Sequence, residues 1–132
     1  GLLAIEFFVT QQNKIWVNEM APRPHNSGHH TIEALASSQY DQLVRCLCGL
    51  PLGSTRLIQP AAMLNIVGGV SGKALTASQL ETLYSKPNRH IHLYGKAEWK
   101  PFRKMGHITI LGDNQKQLIQ EINQIKKELA DE

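Results

Sequence analysis

The stretch of sequence that decides the fold is residues 2–20, LLAIEFFVTQQNKIWVNEM. Two runs rich in Ile, Val, Phe and Trp, residues 2–10 and 14–20, flank the polar triplet QQN, and this pattern predicts a β-hairpin. If the hairpin is symmetric about the point between Gln12 and Asn13, the numbers of opposed residues sum to 25. Glu6 is then expected to face Glu19 across the two strands.

Two opposed glutamates on one sheet face repel each other, so a positive group is expected between them. Partial burial, which strengthens the repulsion, is expected from the apolar neighbours Phe7, Phe8, Val17 and Met20. Mg²⁺ prefers hard oxygen ligands and commonly takes one or two carboxylates together with substrate phosphates, which makes Glu6 and Glu19 candidate metal ligands. The alternative is that both carboxylates lie on a solvated face, and a register shift of one residue would separate them.

The segment after the hairpin, residues 18–30, reads NEMAPRPHNSGHH and has the composition of a recognition loop. No regular element is expected to run through its prolines and Gly28. The prolines lower the entropy cost of presenting several polar side chains together. These side chains are Arg23, His25, Asn26, Ser27, His29 and His30. A zinc site of the three histidines is one alternative, although no familiar ligand spacing is present. Solvated histidines in a loop stabilised by Asn and Ser are the other.

The next pattern predicts a helix from Gln39 to Cys48, opened by a capping box of Ser38 and Asp41 and ended by Gly49. Its apolar stripe consists of Tyr40, Leu43, Val44 and Leu47. Because Cys46 and Cys48 are two positions apart on this helix, their side chains point in different directions, and we expect buried free thiols rather than a disulfide.

The segment LPLGS at 50–54 contains a proline and a glycine, which are typical of a linker. It predicts a boundary between a first domain, residues 1–50, and a second domain, residues 51–132. In the second domain we expect strands at 61–67, 90–94 and 104–111, and a short helix from about 76 to 84 behind a second capping box. A final amphipathic helix is expected from Asp113 onward. Its apolar stripe consists of Leu118, Ile122, Ile125 and Leu129. The predicted fold class is α+β.

The composition, 42% hydrophobic and 19% charged, is that of a globular protein. No run approaches the roughly 18 apolar residues of a membrane span and no signal peptide is evident, so we expect a cytoplasmic location and no membrane partner. The net charge of +3 suits small anionic ligands. Nucleic acid is not an expected partner, because the basic residues are scattered and aromatic residues are not interleaved with them. Since the chain enters a strand pattern directly at Gly1, we expect it to be the interior of a longer protein.

Five stretches, in this order along the chain, resemble 5-(carboxyamino)imidazole ribonucleotide synthase, an ATP-grasp ligase of purine biosynthesis. They are AIEFFV, VNEMAPRPHNSGHHT, SQYDQLVRCLCGLPLG, LYGK and RKMGHITILG, and together they span nearly all of residues 1–112. The loop is the specific part of the resemblance, since paired glutamates alone indicate only the ATP-grasp superfamily. The resemblance makes residues 1–50 the C-terminal part of an ATP-grasp domain, a hairpin plus a helix. Residues 51–132 become a small α+β, strand-rich C-terminal domain.

The resemblance implies an enzyme that joins bicarbonate to 5-aminoimidazole ribonucleotide with ATP, releasing ADP and phosphate, with carboxyphosphate as intermediate. It implies Mg²⁺ or Mn²⁺ as cofactor, held by Glu6 and Glu19 next to the ATP phosphates. Expected partners are the three substrates, the N-terminal part of the same enzyme, and a second copy of that enzyme in a homodimer.

The resemblance also assigns roles to single residues. Arg23 is implied as the catalytic residue, because its planar guanidinium offers two parallel donors to bicarbonate or carboxyphosphate. Five further positions match those that bind the ribonucleotide or its phosphate. They are His25, Asn26, Ser27, Lys96 and Arg103.

Other residues near these positions are given no ligand-binding role. For Lys96, Arg103 and Lys104 a basic strand edge is the alternative explanation, since charged edges resist aggregation. His107 is read as structural. Asn18 is not counted as a metal ligand, because in a regular strand it points to the face opposite Glu19.

Two alternatives to this function remain open. A formate-dependent glycinamide ribonucleotide transformylase is the nearest related ligase, but it typically has Asp-Thr where this chain has Asn26-Ser27. A non-catalytic domain that keeps the fold for binding or assembly is the other. Because the regions that grip ATP in the family have no counterpart in this sequence, the chain alone is expected to lack ATPase and carboxylating activity.

Overall fold

The computed structural model describes residues 1–69 and 72–130. Its strands are β1 (Ala4–Val9), β2 (Ile15–Ala21), β3 (Ala61–Val67), β4 (Arg89–Leu93) and β5 (Lys104–Leu111). Its helices are α1 (Thr31–Ala34), α2 (Gln39–Leu47), α3 (Ala77–Tyr84) and α4 (Gln115–Glu128), with a 3-10 turn at Asn26–Gly28. Antiparallel sheets combined with helices confirm the predicted α+β class.

The chain divides into two compact units, Gly1–Ile58 and Gln59–Glu132. This division lies eight residues beyond the expected domain boundary after residue 50, because the segment before Gln59 pairs with the main chain that follows α1. Ala36 N–H donates to the Arg56 carbonyl at 3.0 Å, and Ile58 N–H donates to the Ala34 carbonyl at 2.7 Å. The assignment of residues 1–50 and 51–132 to two domains stays a prediction.

In the first unit β1 and β2 form a two-stranded antiparallel sheet. The expected partial burial of the glutamate pair holds for Glu6, which is half-buried, but not for Glu19, which is exposed, and the four apolar neighbours are themselves exposed. The exposed fractions are 53% for Phe7, 60% for Phe8, 59% for Val17 and 64% for Met20. A two-stranded sheet is too small to bury apolar side chains on both of its faces by itself.

Helix α2 begins with the predicted capping box. Ser38 Oγ accepts from Asp41 N–H at 3.1 Å, and the Asp41 carboxylate accepts from Ser38 N–H at 2.9 Å. The hydrogen bonds that this carboxylate accepts from Ser38 N–H and, at 2.8 Å, from the Ser38 hydroxyl hold the pKa of Asp41 below its usual range. Gly49 follows the helix with φ +64°, as a C-terminal cap requires.

The cysteines of α2 are free, as predicted, but not buried. No residue of α2 is buried. Cys46 is therefore only partly buried, and Cys48, which follows the helix as its C-terminal cap, is exposed. The expectation of buried thiols is wrong because the apolar stripe of α2 has no packing partner deep enough to cover it, and Val44 and Leu47 remain 56% and 75% exposed.

In the second unit the strands form an antiparallel sheet in the order β3-β5-β4. Strands β3 and β5 have the predicted bounds, and β4 begins one residue earlier than predicted. One face of β5 buries Ile108 and Ile110 against the helices, with Leu83 of α3 and Leu118 and Ile125 of α4 in the same core. Full burial of each such side chain stabilises the unit by about 1.5–3 kcal/mol.

Helix α4 begins after Asn114, whose side chain accepts from Gln117 N–H at 3.0 Å, and it presents the predicted apolar stripe to the sheet. Two carboxylates of α4, Glu121 and Glu128, reach Arg89 of β4, which has no exposed side-chain surface. Arg89 contacts Glu121 and Glu128 at 2.7 Å each. Within the described residues, no helix has both the length and the apolar character needed to cross a membrane.

Candidate active site

The turn of the hairpin is not centred where the sequence suggested. Thr10 N–H donates to the Lys14 carbonyl at 2.9 Å, and Asn13 N–H donates to the Thr10 carbonyl at 2.9 Å. Asn13 has a left-handed backbone, φ +58°, which Asn tolerates better than most residues. These bonds centre the turn on Gln12, so the expected symmetry about the Gln12–Asn13 bond is wrong.

A β-bulge restores the predicted glutamate pair. From the turn outward, the strands pair Val9 with Ile15 and Phe7 with Val17, and continuing this register would place Glu6 opposite Asn18. The register instead shifts by one residue after Phe7, which leaves Asn18 as the extra residue of the bulge. Glu6 therefore faces Glu19, and the predicted pairing is confirmed.

His25 lies between the two carboxylates. Its Nδ1 is 3.3 Å from Glu6 Oε1, and its Nε2 is 3.1 Å from Glu19 Oε1. Nδ1 also lies 2.9 Å from Ser27 Oγ. Only 11% of the His25 side chain is exposed, against 36% for Glu6 and 56% for Glu19. The hairpin and the recognition loop thus meet at one cluster of polar side chains.

The bulge also turns Asn18 toward the site. Asn18 Nδ2 donates to Glu6 Oε2 at 3.4 Å. The expectation that Asn18 points to the opposite sheet face is therefore wrong, because it assumed a regular strand and a bulge brings two consecutive residues toward the same partner.

The chemistry of this cluster fits a divalent cation. Glu6, Glu19 and His25 each offer one ligand atom, and these three atoms lie within 4.8 Å of one another. Across residues 1–69 and 72–130, this is the one group of three such side chains close enough to share an ion. Its carboxylate oxygens are the ligand type that Mg²⁺ and Mn²⁺ prefer.

The alternative zinc site of three histidines does not assemble. Nδ1 of His29 lies 3.0 Å from both Gln39 Nε2 and the Tyr40 hydroxyl. His30 Nδ1 lies 2.9 Å from the Ser27 carbonyl. In the part of the chain that the structure describes, these two histidines stabilise the loop and do not join His25 as a ligand set.

The remaining loop residues predicted to bind substrate lie close to His25. Arg23 is exposed, and its Nη1 donates to the Pro24 carbonyl at 3.0 Å, so one edge of the guanidinium stays near the loop. The 3-10 turn begins at Asn26, and Ser27 N–H points to His25 Nδ1 at 3.4 Å. The sequence did not predict this turn, because no regular element was expected to run through the prolines and Gly28.

Lys96 and Arg103 lie in the connection between β4 and β5 in the second unit. Lys96 Nζ donates to the Lys104 carbonyl at 2.6 Å and lies 5.6 Å from the centre of the Tyr94 ring. Arg103 Nη1 donates to the Glu98 carbonyl at 3.2 Å. Their convergence on one phosphate stays a prediction.

His107 has the environment of a structural residue. It is 2% exposed, its ring stacks on His92 with centroids 4.5 Å apart, and its Nδ1 lies 2.9 Å from the Tyr94 hydroxyl. Tyr94 thereby joins the buried strand to Lys96. The sequence analysis did not predict that Tyr94 contacts both His107 and Lys96. The signal available in the sequence was its position two residues before Lys96.

Comparison with known proteins agrees with this architecture. The sequence model of the ATP-grasp domain matches residues 1–40, and that of the phosphoribosylaminoimidazole carboxylase C-terminal domain matches residues 61–121. Fold and site therefore agree with the end of an ATP-grasp domain followed by this C-terminal domain.

Individual relatives indicate which ATP-grasp proteins the chain resembles. The chain is 44% identical over 122 residues to N5-carboxyaminoimidazole ribonucleotide synthase of Bacillus subtilis, covering 92% of this chain and 31% of that protein. The crystal structure of the Aspergillus clavatus carboxyaminoimidazole ribonucleotide synthase with ATP has a TM-score of 0.83 at 38% identity, covering 96% of this chain and 33% of that one. The Aspergillus clavatus complex with ADP and 5-aminoimidazole ribonucleotide has a TM-score of 0.82 at 37% identity, covering 95% and 34%.

The chain is similar over nearly all of its length to the C-terminal portion of N5-carboxyaminoimidazole ribonucleotide synthases. It spans about a third of the length of these relatives.

Proposed function

We propose that this chain forms part of an ATP-dependent carboxylating ligase of purine biosynthesis. The reaction converts 5-aminoimidazole ribonucleotide, bicarbonate and ATP to 5-(carboxyamino)imidazole ribonucleotide, ADP and phosphate. The observation that carries this proposal is the opposed pair of Glu6 and Glu19 with His25 of the recognition loop against both carboxylates.

Glu6 and Glu19 hold Mg²⁺ or Mn²⁺ in this proposal. When bound, the ion neutralises the ATP polyphosphate and aligns its terminal phosphoryl group. The two carboxylates fix the site at the end of the hairpin, and the Asn18 amide orients Glu6 by donating to its second oxygen at 3.4 Å. Support comes from the oxygen-rich ligand set and from relatives crystallised with ATP or ADP.

Substrate recognition is assigned to the loop. Arg23 binds bicarbonate or carboxyphosphate, since a guanidinium pairs with a planar oxyanion through two parallel hydrogen bonds. His25, Asn26 and Ser27 hold the aminoimidazole ribonucleotide. This assignment is supported by the position of the three residues beside the carboxylate pair and by the ribonucleotide complex of the Aspergillus clavatus relative.

Lys96 and Arg103 bind the phosphate of the ribonucleotide. Both side chains come from one connection between strands, and two cationic groups suit a phosphate monoester. The partners of the chain are the N-terminal part of the enzyme and, in a homodimer, a second copy of it. The enzyme is cytoplasmic in this proposal.

The test is ATP hydrolysis by the complete enzyme that contains this chain. We expect ADP release that requires both bicarbonate and 5-aminoimidazole ribonucleotide. Turnover with formate and glycinamide ribonucleotide instead would favour the related transformylase, and absence of any ATP turnover would favour a non-catalytic binding domain.

The same assay tests the phosphate site. Arg103→Ala removes a charged hydrogen bond of about 1.5–3 kcal/mol, so the KM for the ribonucleotide should rise roughly ten- to a hundredfold while the KM for ATP changes little. Lys100→Ala is the control, because Lys100 is a basic residue of the same connection whose ammonium pairs with Glu98 at 3.1 Å. A rise in the KM for ATP alone would place Arg103 in the nucleotide site.

A further inference from the structure

The side chain of Gln39, the first residue of α2, holds both main-chain polar groups of His25. Gln39 Oε1 accepts from His25 N–H at 2.9 Å, and Gln39 Nε2 donates to the His25 carbonyl at 3.0 Å. Only this orientation of the amide matches a donor with an acceptor at both contacts. One side chain thus pairs with His25 as a neighbouring strand would.

Gln39 fills the interior of the loop tightly. Its Nε2 also lies 3.0 Å from His29 Nδ1, and its own N–H donates to Thr31 Oγ1 at 2.9 Å. A Cβ atom at Gly28 would lie only 2.6 Å from Gln39 Oε1, so the loop packs around this amide where glycine leaves room. The contacts extend over residues 25–31, which is the segment that presents the substrate-binding side chains.

The position of the His25 main chain determines where its side chain begins. The imidazole nitrogens of that side chain lie 3.3 Å from Glu6 and 3.1 Å from Glu19. A shift of about 1 Å in that main chain would change both contacts, and a misplacement of this size can cost about a hundredfold in rate. The rigid base of this arrangement is α2, whose first turn the capping box closes.

We infer that Gln39 is a positioning residue, which holds the His25 loop in the geometry required to bind the ribonucleotide next to the metal-binding carboxylates. The inference rests on the proposed function for its substrate. Gln39 acts through the loop and touches no reacting atom in this scheme.

The chain supplies a matched control on the same helix. Gln42 makes the same two-pronged contact to a different main-chain residue: its Nε2 donates to the Gly53 carbonyl at 2.9 Å, and its Oε1 accepts from Gly53 N–H at 3.0 Å. Gln39→Met and Gln42→Met each keep the side-chain length and remove the two hydrogen bonds to a main-chain residue, and Gln39→Met also removes the contact to His29 Nδ1. Any general loss of stability should therefore be similar in the two variants.

The test uses the complete enzyme and two readouts. In Gln39→Met, the KM for 5-aminoimidazole ribonucleotide should rise about tenfold, the factor that corresponds to losing two neutral hydrogen bonds of the loop, with the KM for ATP unchanged. Gln42→Met should change neither KM. Hydrogen–deuterium exchange should show faster exchange of the His25 amide in Gln39→Met and of the Gly53 amide in Gln42→Met.

Each outcome has one meaning. Equal kinetics in the two variants would overturn the inference, as would faster His25 exchange without a change in the ribonucleotide KM. If the wild-type enzyme does not respond to the ribonucleotide, the proposed function fails, and with it the substrate named here. The exchange measurement still reports whether Gln39 holds the loop.

Should Gln39→Met not fold, Gln39→Glu is the second variant. It keeps the acceptor for His25 N–H but loses the donor to the His25 carbonyl, and it should also raise the KM for the ribonucleotide.

Discussion

Asn18 is the residue on which the geometry of the carboxylate pair depends. A regular ladder extended from the turn would bring Asn18, not Glu19, opposite Glu6. The bulge inserts one residue and gives Glu6 both a facing carboxylate and an amide donor. Two facing carboxylates repel, and the His25 ring lies between them in contact with both.

At this scale we predict that Glu19→Gln weakens Mn²⁺ binding by the complete enzyme at least about tenfold, because it removes one of two negative ligands and keeps the shape. The measurement is a titration of free Mn²⁺ by electron paramagnetic resonance. Asp113→Asn, which neutralises an exposed carboxylate of the second unit, is the control. Unchanged Mn²⁺ affinity in Glu19→Gln would remove Glu19 from the metal site.

At the scale of elements, Arg89 joins β4 to α4. Burial lowers the pKa of its guanidinium, but hydrogen bonds and charges of Glu128 and Glu121 outweigh this effect and raise the pKa above its ordinary value. For Glu128, burial raises the pKa, and the hydrogen bonds from Arg89 and Gln124 outweigh it, so the pKa lies below the ordinary value. A buried pair of this kind is costly to break, because the partner is left charged and uncompensated.

The pKa of Glu128 predicts the acid response of the second unit. The unfolded chain, with an ordinary Glu pKa of about 4.3, binds the proton more readily than the folded chain. The stabilisation is therefore present above that pH and is lost as the pH falls through the lower pKa of the folded state. Glu128→Gln should cost about 1.5–3 kcal/mol at pH 7 and less at pH 3.

Urea unfolding of wild type and Glu128→Gln at a series of pH values measures this difference. Glu81→Gln is the control, because Glu81 is exposed on α3 and should show no such convergence. A constant difference between wild type and Glu128→Gln from pH 7 to pH 3 would contradict the prediction.

At the scale of the whole molecule, the apolar surface of the hairpin is the notable feature. Leu3, Val9, Ile15 and Trp16 are between 56% and 68% exposed, on a sheet of only two strands. Apolar exposure on this scale is typical of a surface that meets further protein. It agrees with relatives about three times the length of this chain, in which a sequence like this one is joined to an N-terminal part.

We predict that the 132-residue chain alone hydrolyses no ATP and carboxylates no ribonucleotide. The physical reason is that positioning and charge neutralisation of ATP need groups on both sides of the phosphates, and the chain supplies one side. ADP release measured with bicarbonate and the ribonucleotide is the readout, and adding the N-terminal part in trans should restore turnover. Bicarbonate-dependent ATP hydrolysis by the chain alone would contradict this prediction.

Local signals in the sequence determined the strands and the helices α2, α3 and α4, but not α1 or the 3-10 turn at Asn26–Gly28. The capping boxes at Ser38 and Thr76, the glycine after α2 and the apolar stripe of α4 each act within a few residues, so helix starts and strand bounds followed from the sequence to within about two residues. The specific loop after the hairpin likewise carried the resemblance to a known family, because its residues are contiguous.

The tertiary structure alone decided what depends on contacts between distant segments. The bulge at Asn18, the Gln39 contact to His25 across 14 residues and the Arg89 pairs with α4 leave no periodic trace in the sequence, because each joins side chains whose spacing only the folded chain fixes. The exposure of Cys48 and Phe8 has the same origin, since burial depends on which neighbours the fold supplies. The sequence by itself therefore determined the strands, the longer helices and the resemblance to a known family, and the folded chain decided the bulge that pairs Glu6 with Glu19 and how His25 and Asn18 meet that pair.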